Sequence, residues 1–235
     1  MWMDNWVLYR PLPLWNSFLN SQGQCCPFLA RSFESKRTCV VLSSSNQAEC
    51  EVNLDHCRTA GIPVLKRRGG GGTVLLGSGC LILTAAFFAQ SLYSNAVYFR
   101  AINEAWIEAI HESTGLSLQQ RGISDLSVQC ADGVRKVAGT SLFRRKHLVV
   151  FQGSLLVDAD LNQIAQCLLH PSREPDYRQS RGHLAFLTRL KDLGCQLHAA
   201  ELANELQRSL DRLLPKRLAP HAIPGWGVHE AESTT

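Results

Sequence analysis

Four consecutive glycines, Gly69-Gly70-Gly71-Gly72, follow Lys66-Arg67-Arg68 and sit between two apolar segments. This stretch constrains the chain more than any other. A backbone stripped of side chains lets a ligand lie directly against peptide N–H groups. The two arginines at its entrance supply planar, permanently charged forks suited to carboxylate or phosphate. Flexible linkers carry polar flanks, whereas Ile62-Pro63-Val64-Leu65 and Thr73-Val74-Leu75-Leu76 read as buried strands. The stretch therefore predicts a backbone-lined site, with a linker or a purely structural turn as the alternatives. It is not a P-loop, because no lysine followed by Ser or Thr closes it, and no register gives G-x-G-x-x-G.

The length of 235 residues fits one large domain, or one domain with a small appendage. A formal charge of +4, spread along the chain, does not argue for nucleic acid and suits an acidic partner protein. The nine cysteines, at 25, 26, 39, 50, 57, 80, 130, 167 and 195, contain no C-x-x-C and no paired spacing. They read as reduced thiols rather than a disulfide framework or a zinc site. The start has neither a basic segment nor an apolar stretch of signal-peptide length. The run from Cys80 to Ala89 is about half a membrane span. A cytoplasmic protein with no membrane segment is expected.

Taken in order, Leu14 to Asn20 reads as a short helix and Thr38 to Leu42 as a strand. Glu49 to Ala60 reads as one helix, stopped by Gly61-Ile62-Pro63. Leu81 to Phe88 is a strand, and Asn95 caps a helix whose Tyr98, Ile102, Trp106 and Ile110 recur every four residues until Gly115. Asp125–Cys130 and Val134–Ala138 form a hairpin over Asp132-Gly133. A second hairpin is expected across Gln152-Gly153. Asp160 caps a helix to Leu169, His183 to Leu193 reads as a helix, and Leu197 to Leu213 marks a last amphipathic helix ended by Pro215. Arg173, Glu174, Arg178, Arg181 and His183 read as a charged helix surface and receive no role. Strands and helices mix without βαβ alternation, which gives an α+β fold with a mixed, largely antiparallel sheet flanked by helices. Residues 1–215 form one domain in this reading, and 216–235 a loose tail.

Lys136 lies in the returning strand of the first hairpin, beside apolar residues and Gly139. It is either an exposed strand charge or a compact cation pointing into a pocket.

Arg67-Arg68-Gly69-Gly70-Gly71-Gly72-Thr73-Val74 resembles the R-R-x-G-G-G-[AT]-V signature of lipoate–protein ligases. Gly122-Ile123-Ser124-Asp125-Leu126-Ser127-Val128, followed by Asp132-Gly133-Val134-Arg135-Lys136-Val137-Ala138-Gly139-Thr140, is similar to that family's G-x-N-D-L-x-V and D-G-x-K-[IV]-[SA]-G-[ST]. Gly153 to Leu161 is similar to its H-G-T-L-L-x-x-x-D-L. Order and separations match across roughly residues 37–165.

The resemblance implies activation of lipoate or octanoate by ATP and Mg2+ to an acyl-adenylate. Transfer would follow, to a lysine of an acceptor lipoyl domain in a 2-oxoacid dehydrogenase acyltransferase subunit or the glycine cleavage H protein. It assigns Lys136 as the catalytic residue, holding the carbonyl and phosphate oxygens. Arg67, Arg68, Gly70, Gly71, Gly72, Thr73, Gly139 and Thr140 would bind the acyl-adenylate. Asp125 would sit near the nucleotide or its metal, or else open its strand through an Asx turn.

Leu75-Leu76-Gly77 stands where ligases continue with x-His-Asp, Ser124 replaces their asparagine, and Gln152 their histidine. Two further readings therefore stand beside ligation, which itself could call for a separate accessory chain. One is a cysteine-dependent octanoyl or lipoyl transferase, for which Cys80 and Cys130 are the candidate nucleophiles. The other is a relative that binds acyl groups or lipoyl domains without turnover.

Overall fold

The computed structural model describes residues 28–223; the helix expected at 14–20, Cys25, Cys26 and the end of the tail lie outside the described residues. The larger sheet contains β1 (Phe28–Glu34), β5 (Cys80–Phe88), β6 (Gln119–Arg121), β7 (Asp125–Cys130), β8 (Gly133–Arg145) and β9 (Leu148–Leu156). Its order is β1-β5-β9-β8-β7-β6, and every neighbouring pair is antiparallel. The smaller sheet holds β2 (Cys39–Leu42) between β3 (Val64–Lys66) and β4 (Val74–Leu76). There β2 runs parallel to β3 and antiparallel to β4. The helices are α1 (Ala48–Glu51), α2 (Leu54–Thr59), α3 (Asn95–Thr114), α4 (Leu161–Cys167), α5 (His183–Phe186) and α6 (Ala199–Leu218). The α+β class with largely antiparallel pairing is the one the sequence predicts.

Periodicity explains the main core. Tyr98, Ile102, Trp106 and Ile110 on α3 and Leu202, Leu206, Leu210 and Leu213 on α6 form two apolar stripes. Both pack on one face of the larger sheet, against Leu81, Leu83 and Phe87 of β5 and Val149, Phe151 and Leu155 of β9. Each such side chain contributes about 1.5–3 kcal/mol by leaving water. On the other face of β5, Ile82 joins Cys39, Val41 and Leu76 in a small cluster beneath the smaller sheet. β5 is thus covered on both sides, which is why its sequence is apolar on both faces except at buried Thr84.

Four expectations give way to tertiary contacts. The segment from Glu49 to Ala60 is two helices, because Val52 is extended and bridges Leu168, and Asn53 then caps α2 by accepting from the His56 N–H. Gln152-Gly153 is no turn. β9 runs straight through it, and the hairpin closes instead at Lys146-His147, between paired Arg145 and Leu148. A Cβ at Gly153 would come within 2.5 Å of the Trp106 ring, so this glycine exists to admit the indole. The helix expected at 183–193 stops after Phe186, because Leu187 bridges Lys136 and the Thr188 N–H donates to the Lys136 carbonyl at 3.0 Å. Pro215 lies inside α6 rather than ending it. Leu218 and Ala222 are buried and Ala222 bridges Ala89, so residues 216–223 are packed onto the fold rather than loose.

Candidate active site

The glycine loop crosses from β3 to β4 over the end of β2, where the Ser44 N–H donates to the Gly69 carbonyl at 3.1 Å. Arg67 turns back beneath it. Its guanidinium donates to the carbonyls of Gly70 and Gly72, both at 2.7 Å, and of Val41 at 3.2 Å. In a trans peptide the carbonyl and the next N–H point in opposite directions. Arg67 therefore fixes the amides of Gly71 and Thr73 facing away from itself. Gly71 adopts φ +93°, and a Cβ there would stand 3.2 Å from Arg67 Nη2. Burial pushes the Arg67 guanidinium down to about 10, which leaves it a cation at neutral pH.

The second half of the site is built on β7 and β8. Lys136 Nζ pairs with Asp125 Oδ1 at 2.7 Å, and the Tyr177 hydroxyl donates to Asp125 Oδ2 at 2.9 Å. The register makes this possible. Asp125 faces Gly139 and Leu126 faces Ala138, but Ser127 faces Lys136, so Val137 is an extra residue on β8. Without that bulge, Lys136 and Gly139 would point to opposite faces of the strand. With it, a Cβ at Gly139 would lie only 3.1 Å from Lys136 Nζ, so the glycine leaves room for the lysine head. Thr140 secures the opposite turn by donating to the Ser124 carbonyl at 2.6 Å.

Two cavities meet here. A narrow slot of about 90 Å³ is walled by Val41, Leu76 and Ile82 together with Arg67, Thr140 and Gly153. A wider cavity of about 620 Å³ is bounded by Gly71 to Thr73, the β6–β7 turn at Gly122 to Ser124, and the segment from Leu168 to Arg178. Gly72, Thr73, Ser124, Asp125, Lys136 and Gly139 border both. Arg121, Lys136, Arg173 and Arg178 face Glu51, Asp125, Glu174 and Asp176 around the wider one. Among the described residues, no three His, Cys, Asp or Glu side chains gather where they could hold a metal ion.

The structure thus brings together Arg67, Gly71, Gly72, Thr73, Asp125, Lys136, Gly139 and Thr140. It leaves out four others. Arg68 stacks over Phe143 at 5.7 Å and borders neither cavity. Gly70 offers its carbonyl to Arg67 and borders neither cavity. Cys80 is buried, its thiol turned to the Leu75 carbonyl and pushed up to about 11 chiefly by burial. Cys130 pairs with Gly133 three residues along β7 from Ser127, roughly 10 Å away, and on the opposite face from Asp125. Neither cysteine borders a cavity.

The segment that reads in sequence as a charged helix surface is instead a wall of the wider cavity. Arg178 is buried, its Nε donates to the Arg181 carbonyl at 2.9 Å, and its guanidinium lies 4.7 Å over the Phe186 ring. Buried Glu51 accepts from the Ser172 N–H at 3.1 Å and from the Ser172 hydroxyl, which ties α1 to that wall. Tyr177, Arg178 and Glu51 carry no motif. An alternating polar stretch packed onto a cavity is indistinguishable in sequence from one facing water.

Comparison with known proteins agrees with this architecture. Residues 27–211 match the family model described as lipoyl protein ligase A/B catalytic domain. The chain is 26% identical over 180 residues to a lipoate-protein ligase A of Blochmanniella floridana, covering 76% of this chain and 49% of the relative, so it spans about half of that protein's length. It superimposes on a bipartite lipoate protein ligase, studied with its E2 lipoyl domain, from Thermoplasma acidophilum, at TM-score 0.70 and 22% identity over 85% of this chain and 76% of that one. A lipoate-protein ligase A bound with ATP superimposes at TM-score 0.64 and 22% identity, over 82% and 74% of the two chains. With most of its length inside the family model, the chain belongs to the lipoyl protein ligase A/B catalytic domain family.

Proposed function

We propose that this chain is a lipoate–protein ligase that activates lipoate or octanoate with ATP and passes the acyl group to a lysine of a lipoyl domain. One arrangement carries the reading: a narrow, largely apolar slot and a wider cavity ringed by charged side chains meet at Lys136. An acyl tail fits the first, a nucleotide the second, and the bond joining them falls at the lysine. In the first step a carboxylate oxygen of the acid attacks the α-phosphorus of ATP and pyrophosphate leaves with the P–O electron pair. In the second, the acceptor amine attacks the acyl carbon and AMP leaves.

Both steps build negative charge on oxygens beside Lys136. Asp125 engages one face of its ammonium, and the remaining N–H donors are free in direction to serve carbonyl and phosphoryl oxygens. Arg67 acts from behind, holding the glycine loop so that backbone amides rather than side chains meet the ligand. Gly139 and Thr140 shape the floor. A magnesium ion would enter on the ATP phosphates, since Mg2+ keeps several waters and needs only one or two carboxylates from the protein.

The ATP-bound and lipoyl-domain-associated relatives support the nucleotide and the acceptor class. The bipartite Thermoplasma ligase supports an accessory chain. The cysteine pattern supports a reducing, cytoplasmic setting. Ligation is preferred to cysteine-dependent transfer because neither cavity has a cysteine among its described walls. Acid-dependent exchange of labelled pyrophosphate into ATP tests the first step. Exchange that needs octanoate or lipoate supports ligation. Its absence, when ready-made acyl-adenylate is still consumed, limits the chain to the second step.

A further inference from the structure

Asp125 spends both carboxylate oxygens, and the two partners come from different parts of the chain. Lys136 Nζ takes Oδ1 from the neighbouring strand, whereas the Tyr177 hydroxyl takes Oδ2 from the wall segment, across 52 residues. The phenol is a committed donor, because burial and then the Asp125 charge push it well above its ordinary range. Its ring rests against Phe186, centroids 5.2 Å apart, so the hydroxyl is held at a fixed height over the carboxylate. The backbone is tied down as well. Arg181 Nη2 donates both to the Tyr177 carbonyl at 2.8 Å and to the Val134 carbonyl of β8 at 2.9 Å. One guanidinium nitrogen thus fastens the peptide of Tyr177 to the strand that carries Lys136.

A lysine head has three rotatable donors on a flexible stem, so its direction is set by what accepts from it. Here that acceptor is Asp125, and Asp125 has its own rotation stopped at the far oxygen. We infer that Tyr177 is a positioning residue of the reaction: its hydroxyl fixes the Asp125 carboxylate, which fixes Lys136 Nζ at the junction of the two cavities. The inference rests on the reading of that junction as the acyl-transfer centre. It assigns work to a residue outside the glycine-loop and hairpin motifs. It also makes the wall of the wider cavity part of the lysine's support, so that a nucleotide pressing on the wall acts on Lys136 as well.

Tyr177→Phe removes the hydroxyl and keeps the ring on Phe186. The expected result is a fall in kcat for acyl transfer of roughly tenfold, with KM for ATP and for the acid within about twofold. Introduced into an Asp125→Asn background, the same change should cost less than about twofold, since the link it acts through is already cut. An equal loss in both backgrounds would make Tyr177 merely structural and overturn the inference.

A separate measurement does not depend on turnover. Wild type, Tyr177→Phe, Asp125→Asn and the double variant are treated with an N-hydroxysuccinimide ester of acetate, and acetylation of the Lys136 peptide is timed by mass spectrometry. Lys136 should react several times faster in Tyr177→Phe, and no faster in the double variant than in Asp125→Asn. Unchanged labelling in Tyr177→Phe contradicts the inference. If wild type transfers no acyl group from any donor, the proposed function fails, and the labelling comparison still decides the role of Tyr177.

Discussion

Two walls of the wider cavity are built on opposite principles. The loop at 69–72 is backbone alone, braced from beneath by Arg67, and presents amides. The wall at 168–178 is made of side chains, with Arg178 stacked on Phe186, Ser172 tied to Glu51, and Tyr177 reaching Asp125. The glycine loop announces itself in any sequence, because four adjacent glycines have few other uses. The side-chain wall has the composition of solvated surface until the fold closes over it. A site is therefore most legible where it is made of main chain, and least where it depends on which side chains a loop happens to bury.

Three sets of variants sharpen or break that contrast, and the first has the largest expected effect. Lys136→Ala should lower acyl transfer by about two orders of magnitude or more while the melting transition stays close to wild type, as measured by turnover and calorimetry. Full transfer by that variant would remove Lys136 from the centre of the account. Next come the glycines, which differ by what stands behind them. Gly153→Ala drives a Cβ into Trp106 and should destabilise the fold by about 1–3 kcal/mol, visible as a lowered denaturation midpoint. Gly71→Ala meets a left-handed backbone and Arg67 Nη2, so it should cost roughly tenfold in kcat/KM for ATP. Gly70→Ala meets nothing within 4 Å and should change either quantity less than about twofold. Equal effects at 70 and 71 would mean that the loop is only a spacer. The smallest effect belongs to the thiols. The Cys80→Ser, Cys130→Ser double variant should retain acyl transfer within about twofold. A complete loss with the fold intact would revive the cysteine-dependent transferase.

Much of the fold could be read from periodicity. The stripe from Tyr98 to Ile110 is buried throughout α3, and Asp160 caps α4 by accepting from the N–H groups of Asn162 and Gln163. The hairpin at Asp132-Gly133 forms where the glycine takes φ +118°. The misreadings share a cause, which is a local signal overruled by a distant partner. Val52 leaves the helix to pair with Leu168, Leu187 leaves it to pair with Lys136, and Gly153 marks an indole rather than a turn. In the candidate site, the glycine loop is legible from its residues alone, and Lys136 from the resemblance. The bulge at Val137 that aims Lys136 was not, because a one-residue register shift writes no pattern. Arg67 was legible as a site residue but not as a brace. Its hydrogen bonds to the Gly70 and Gly72 carbonyls form only once the loop is folded.

The most direct test is the intact mass of a lipoyl-domain acceptor after incubation with this chain, octanoate or lipoate, ATP and Mg2+, beside a reaction in which an octanoyl carrier protein replaces acid and ATP. The account predicts that the acceptor gains one acyl group only in the presence of ATP, and that Lys136→Ala abolishes the gain. A gain from the carrier protein alone, lost on thiol alkylation, would contradict it.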